Sequence, residues 1–200
     1  MAIYEFGGDI VLGVALPLAR FPALATEHAR RFETTGAVES LGERLRWADF
    51  PEADLESFIT AVCAWGGYAG IGRRILNGNS LAAIRDGLRE ANRFLDAPRL
   101  DVGSALARLN SLHSLGTPSF ASKHLRFLRP DMCPVMDSVL RDALPYSFDR
   151  DGYAAFARDC VSLADMLKRQ GAINPWRRAD GVWFTADVEA ALYVHFSGWA

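Results

Sequence analysis

Two hundred residues, half of them apolar and 23% charged, are enough for a soluble globular domain with a sizeable core, and they exclude a disordered or fibrous chain. The formal charge of −2 excludes a protein that is basic all over. Three widely spaced cysteines, Cys63, Cys133 and Cys160, form no CxxC pair. They exclude a four-cysteine iron–sulfur cluster held by this chain alone and suit a reducing compartment.

The longest apolar run, Ile10 to Leu18, is too short to span a bilayer. Glu5 and Asp9 precede it and no basic residue does, so it reads as buried structure rather than a signal peptide. A cytoplasmic protein with no membrane partner is expected. Leu55, Phe58, Ile59 and Val62 make one helical stripe, with Pro51 and Asp54 in its first turn and Gly66-Gly67 ending it. Trp65 to Tyr68, then Gly70 to Arg74, reads as a glycine-rich aromatic turn; with no strand before it, it is not a dinucleotide fingerprint. Leu81, Ile84, Leu88, Ala91 and Leu95 form the next stripe, capped by Ser80. A third runs from Val102 to Leu112 behind a capping Asp101.

A turn containing Gly116 and Pro118 follows, then an apolar helix with Phe120, Ala121, His124, Leu125, Phe127 and Leu128. Pro130 to Asp137 is an extended loop that delivers Asp137 to a helix spanning 138–144. Further helices are expected at Ala154 to Leu167 and around Val188 to His195, the latter capped by Thr185. Strand-like alternation is confined to Tyr4 to Val14 and Gly181 to Phe184, both ambiguous. The expectation is an all-α fold of eight to ten helices.

Charge is distributed unevenly. Between Gly66 and Pro130 ten lysines and arginines stand against four acids, giving +6 there and −8 elsewhere. That asymmetry suits a polyanion-facing surface. For Arg85 to Arg93 a solvated helix face is an equal alternative. Trp176-Arg177-Arg178 is either a backbone-contacting loop or an exposed basic turn. His28, His124 and His195 show no metal-ligand spacing and read as structural; no metal and no cofactor is expected. Neither a Walker loop nor a deaminase signature is present.

The turn has a physical use. A helix start offers unpaired N–H groups and a positive dipole end to a phosphate oxygen. His113, Ser114, Gly116, Thr117 and Ser119 line it, and Lys123, Arg126 and Arg129 follow with no acid between them. Asp137 is a good N-cap and also a candidate carboxylate. Lys123 is either a phosphate contact or, if deprotonated, a nucleophile. Trp65 and Tyr68 are candidates to stack on an extruded base, with a core role for Trp65 as the alternative.

Leu112-His113-Ser114-Leu115-Gly116-Thr117 followed by Pro134-Val135-Met136-Asp137 resembles the helix-hairpin-helix DNA glycosylase superfamily. There a hairpin of the type L-P-G-V-G precedes a helix, and a P-V/I-x-D segment supplies the essential aspartate. Ala121-Ser122-Lys123, Phe127-Leu128, Pro130 and Asp137-Ser138 look most like a bacterial group with an 8-oxoguanine-glycosylase-type fold. The resemblance spans about 30 residues. It departs at the first hairpin glycine, here Ser114, and at the usual lysine position, here Pro118 or Ser119 according to the alignment. Lys123, one turn beyond Ser119, is the available substitute.

The resemblance implies one bilobal helical domain, residues 1–200, with two lobes around a cleft and the hairpin plus aspartate loop within 101–145. It implies a monomeric enzyme that binds double-stranded DNA, flips a modified base and cleaves its N-glycosidic bond, with Asp137 as essential carboxylate. The nucleophile is Lys123, with strand nicking at the abasic site, or water. DNA repair and defence against phage are both open roles. The alternative from another class is a DNA-binding module that keeps the hairpin without the chemistry.

Overall fold

The computed structural model describes residues 10–11 and 14–199, and it is all-helical apart from one short β-ladder. The ladder pairs β1 (Ile10–Val11) with β2 (Val14–Ala15) antiparallel. Tyr4 to Asp9, with Leu12 and Gly13, make up the rest of the ambiguous N-terminal stretch and lie outside the described residues. Ten α-helices follow among the described residues: α1 (Phe21–Arg31), α2 (Thr35–Trp47), α3 (Glu52–Trp65), α4 (Ala69–Gly78), α5 (Leu81–Asp96), α6 (Val102–Asn110), α7 (Pro118–Leu128), α8 (Ser138–Ala143), α9 (Arg150–Arg169) and α10 (Thr185–Phe196).

Most boundaries follow the local chemistry read from the sequence. Pro51 precedes α3, and Gly66 with Gly67 (φ 76°) closes it. The Ser80 hydroxyl accepts from Ala83 N at 3.1 Å, and Asp101 accepts from Ser104 N at 2.8 Å. Three expectations need correction. The glycine-rich segment from Gly70 onward is helical, the first turns of α4, because Gly72 and Ile75 pack inward against α3. Helix α9 starts at Arg150, a turn before Ala154, where Asp149 caps it through Asp151 N and Gly152 N. Thr185 does not cap α10. Phe184 holds that position, Asp187 reaches back to accept from Phe184 N at 3.0 Å, and the Thr185 hydroxyl donates to Pro130 O. Gly181 ends a short 3-10 turn (Ala179–Gly181) and Val182 to Phe184 is irregular chain, with no strand.

Two helices have no solvent face over most of their length. In α7 the residues from Ala121 to Leu128 are all buried, and in α10 so are those from Thr185 to Leu192. Helices wrapped on every side are central elements. Helix α7 packs against α2, α3 and α6; α10 packs against α1, α8 and α9. Buried side chains from all ten helices form one continuous apolar cluster. The charged residues caught in the two central helices, Lys123, Arg126, Asp187 and Glu189, therefore point into protein or into a cavity.

Candidate active site

Between α7 and α10 lies a small pocket of about 70 Å³. Its wall is drawn from α1 (His28, Phe32), the end of α3 and the turn after it (Trp65, Gly66, Tyr68), α7 (Lys123), the aspartate loop (Val135, Asp137) and α10 (Glu189, Tyr193). Lys123, Asp137, Trp65 and Tyr68, singled out at separate points of the sequence, thus line one cavity.

The aspartate loop is held from three helices. Met136 N donates to Ser122 Oγ on α7 at 3.0 Å, and Tyr153 Oη on α9 donates to Pro134 O at 3.1 Å. Glu189 on α10 takes a hydrogen bond from the Val135 backbone. Thus fixed, the loop ends at Asp137. One carboxylate oxygen, Oδ1, accepts from Val139 N (3.0 Å) and Leu140 N (3.2 Å) at the start of α8. Oδ2 accepts no hydrogen bond among the described residues. The aspartate thus caps α8 through one oxygen and also lines the pocket, so the capping and chemical roles are compatible.

Lys123 is 6% exposed. Its Nζ donates to the carbonyl and the hydroxyl of Ser119, both at 3.2 Å. Burial pushes its pKa down, opposed by the charges of Asp137, Glu189 and Cys63. Gly66 leaves the space its chain occupies: a Cβ there would come within 3.1 Å of Lys123 Cδ. The aromatic wall is anchored at Trp65, whose indole N–H donates to Thr35 Oγ1 at 2.9 Å and whose ring meets Phe127 edge-on. Tyr68 is different. It is 52% exposed and meets Phe120 edge-on, so it forms the outer rim.

Glu189 and His28 line the pocket and were not singled out from the sequence as site residues. Glu189 is buried inside α10, and its carboxyl is pushed up to about 8, first by burial, with Asp137 adding to the rise. His28 is stacked on Phe32, and burial, then the Arg126 charge, pushes it down to about 3. Its Nδ1 has no hydrogen-bond partner among the described residues. Neither sits in a local motif. The one available signal for Glu189 was an acid in an otherwise apolar helix, where burial without a reason is costly.

The hairpin adjoins this pocket. Asn79, just past α4, clasps the His113 main chain: its amide donates to His113 O (3.1 Å) and accepts from His113 N (2.9 Å). A Cβ on Gly78 would collide with the His113 ring, so glycine sets how closely α4 and the hairpin approach. With its amide oriented to satisfy both bonds, Asn110 donates to Leu115 O (2.8 Å) and Thr117 O (3.1 Å). Ser114 adopts φ 64°, a left-handed conformation that glycine adopts more readily. His113, Gly116 and Thr117 are exposed, Ser114 half-buried, and Pro118 opens α7, leaving the Ser119 and Phe120 amides without helical partners.

The basic surface is narrower than the sequence count suggests. Arg126 is 1% exposed, ion-paired to Glu39 at 2.8 Å and lying over the Phe127 ring. As a DNA contact it is corrected: α7 is buried all round, so this side chain points into the protein. Arg129 is corrected likewise; it is 9% exposed and forks onto Asp131 while also meeting Asp96. Arg85, Arg89 and Arg108 are paired with surface acids, which supports the solvated-face reading for Arg85 to Arg93. Arg73 and Arg74 on α4, beside the hairpin, are exposed with no ion pair among the described residues. Arg178 also turns inward, bridging Glu39 and Asp187.

No three His, Cys, Asp or Glu side chains among the described residues cluster as metal ligands. The three cysteines are buried and unpaired, and burial pushes Cys63 up to about 11 and Cys133 up to about 12, so neither is a thiolate. No described helix is long and apolar enough to cross a membrane. No family model, no curated protein and no solved structure matches this chain.

Proposed function

We propose that this chain is a DNA glycosylase of helix-hairpin-helix type. It binds the phosphate backbone of double-stranded DNA through the hairpin and α4, receives a flipped modified base in the aromatic pocket, and breaks that base's N-glycosidic bond. The observation that carries the reading is the shared cavity of Lys123 and Asp137: a buried amine of lowered pKa and a carboxylate with one oxygen uncommitted, beside a turn that offers amides to phosphate.

The chemistry follows from those groups. As the C1′–N bond lengthens, its electron pair leaves with the base and positive charge grows on the sugar. Asp137 stabilises that charge electrostatically. Lys123, once deprotonated, then forms a bond to C1′ through its amine. Loss of a proton and opening of the sugar ring give an imine, from which β-elimination cuts the strand.

The test needs no knowledge of the base. An abasic-site duplex incubated with the protein and borohydride gives a covalent adduct that Lys123→Ala abolishes. Excision from a panel of modified-base duplexes, read as alkali-labile sites, is lost in Asp137→Asn while salt-dependent DNA binding remains. Excision without an adduct makes water the nucleophile. DNA binding with no excision and no adduct would leave a hairpin module without chemistry.

A further inference from the structure

The pocket contains two carboxyl groups in unlike surroundings. Asp137 is half-buried and holds two backbone amides. Glu189 is 3% exposed and sits among Arg126 and Lys123 from α7, Asp137 from the loop, His28 from α1, and Tyr153 and Cys160 from α9. Two carboxyls pushed apart in acidity by their environments are suited to opposite roles, one ionised and one protonated. Burial outweighs Arg126, Lys123 and the Val135 amide, and Asp137 adds to it, so Glu189 keeps its proton to about 8. His28, held down to about 3, carries no extra proton at neutral pH, and Tyr193 is raised above its ordinary value.

Resting on the glycosylase reading, we propose that Glu189 is the proton donor to the departing base, so that the substrates are uncharged bases that must be protonated to leave. The C1′–N bond breaks and its electron pair stays with the base. The Glu189 proton passes to a ring nitrogen or carbonyl oxygen of that base, which departs neutral. Glu189, now a carboxylate, takes a proton from the nitrogen of Lys123 once that nitrogen has bonded to C1′, or from the attacking water. The acid is thereby restored for the next turnover. A base that already carries a positive charge, such as 7-methylguanine, leaves without this proton.

That difference gives the test. Single-turnover excision is measured from duplexes containing 8-oxoguanine, hypoxanthine or 7-methylguanine, across pH 6 to 9.5, with the wild type and Glu189→Gln. Glutamine resembles the protonated acid in shape and charge, and holding that proton at pH 7 costs the wild type stability, so the variant should melt no lower than the wild type at pH 7. The wild-type rate on uncharged bases falls as pH rises past about 8. Glu189→Gln loses about 100-fold or more on them, and loses that alkaline limb, while 7-methylguanine excision stays within about threefold. An unchanged rate, a retained alkaline limb, or an equal loss on 7-methylguanine would overturn the inference. So would a wild type inactive on every uncharged base. The abasic adduct with Lys123 is scored in parallel. Its presence in any of these cases leaves the glycosylase reading standing while the role of Glu189 falls.

Discussion

Lys123 Nζ donates to two oxygens of a single residue, the carbonyl and the hydroxyl of Ser119 one helical turn earlier, each at 3.2 Å. Both oxygens favour the ammonium form, while burial favours the amine and is the larger influence. Ser119→Ala removes one acceptor and leaves the carbonyl. Deprotonation then becomes easier, because one acceptor that favours the charged form is gone. The midpoint at which borohydride trapping of an abasic duplex rises with pH should move down accordingly. An unmoved midpoint would mean that the hydroxyl does not influence the amine.

Gly66 is the second control on that lysine. Its φ of −75° suits alanine, so the backbone tolerates the change. The new Cβ would nevertheless press on Lys123 at 3.1 Å from Cδ and 3.2 Å from Cε. Gly66→Ala is therefore expected to cost about 1 kcal/mol or less in stability. Displacement of a reacting atom costs far more in rate. Trapping should slow about tenfold or more with little change in melting temperature; parallel losses in both would indicate general damage instead.

The hairpin supplies a prediction with two signs. Ser114 holds φ 64°, a conformation that costs an L-residue about 1 kcal/mol and glycine almost nothing. Ser114→Gly should raise the melting temperature by about 2–4 °C per kcal/mol recovered. Asn79→Ala removes both bonds to the His113 main chain and should lower stability by about 1–2 kcal/mol. If the hairpin grips phosphate, the same variant weakens duplex binding at low salt, whereas Ser114→Gly leaves it intact. Titration with a fluorescent duplex separates the two.

Where the sequence was legible, a single residue set its own neighbourhood. Ser80, Asp101 and Asp137 each bond the amides two or three positions ahead, and those caps were readable because the interaction is local. Arg126 was not. Its inward direction depends on Glu39, a helix from the opposite end of the chain, and on α7 being enclosed on every side. Glu189 and His28 were missed for a related reason. Each stands among residues of an ordinary helix, and only the meeting of α1, α7 and α10 makes a pocket of them. The glycines of α4 misled because Gly72 serves close packing on Cys63 rather than a turn.

The charges withdrawn from the surface form a buried network. Glu39 receives Arg126 and Arg178, and Arg178 also spans to Asp187, which Asn174 supports at 2.8 Å. The two acids and two bases balance. Glu39→Gln leaves both arginines short of their shared partner in a buried setting. Breaking such a pair costs about 3–5 kcal/mol. Urea denaturation at pH 7 should show this as a lower midpoint with an unchanged slope. A change below about 1 kcal/mol would mean that solvent reaches the network.

Buried imidazoles and the buried acid act on stability from opposite ends of the pH scale. His28 is pushed down to about 3 and His124 to about 4, each first by burial. Between those values and their ordinary 6.5 the unfolded chain binds more protons than the folded one. Stability therefore rises with pH across that window and is lost as pH falls below 6.5. Glu189 has the reverse sign. Raised from 4.5 to about 8, it binds its proton more tightly in the folded chain, so its contribution declines as pH rises through that window and levels off above it. Denaturant midpoints measured from pH 4 to 9 should trace a dome. His28→Leu should flatten its acid side in part, since His124 still titrates, and leave the alkaline side unchanged. Glu189→Gln should do the opposite. If His28→Leu leaves the acid side as steep as in the wild type, His28 is not the buried neutral imidazole its position in the pocket requires.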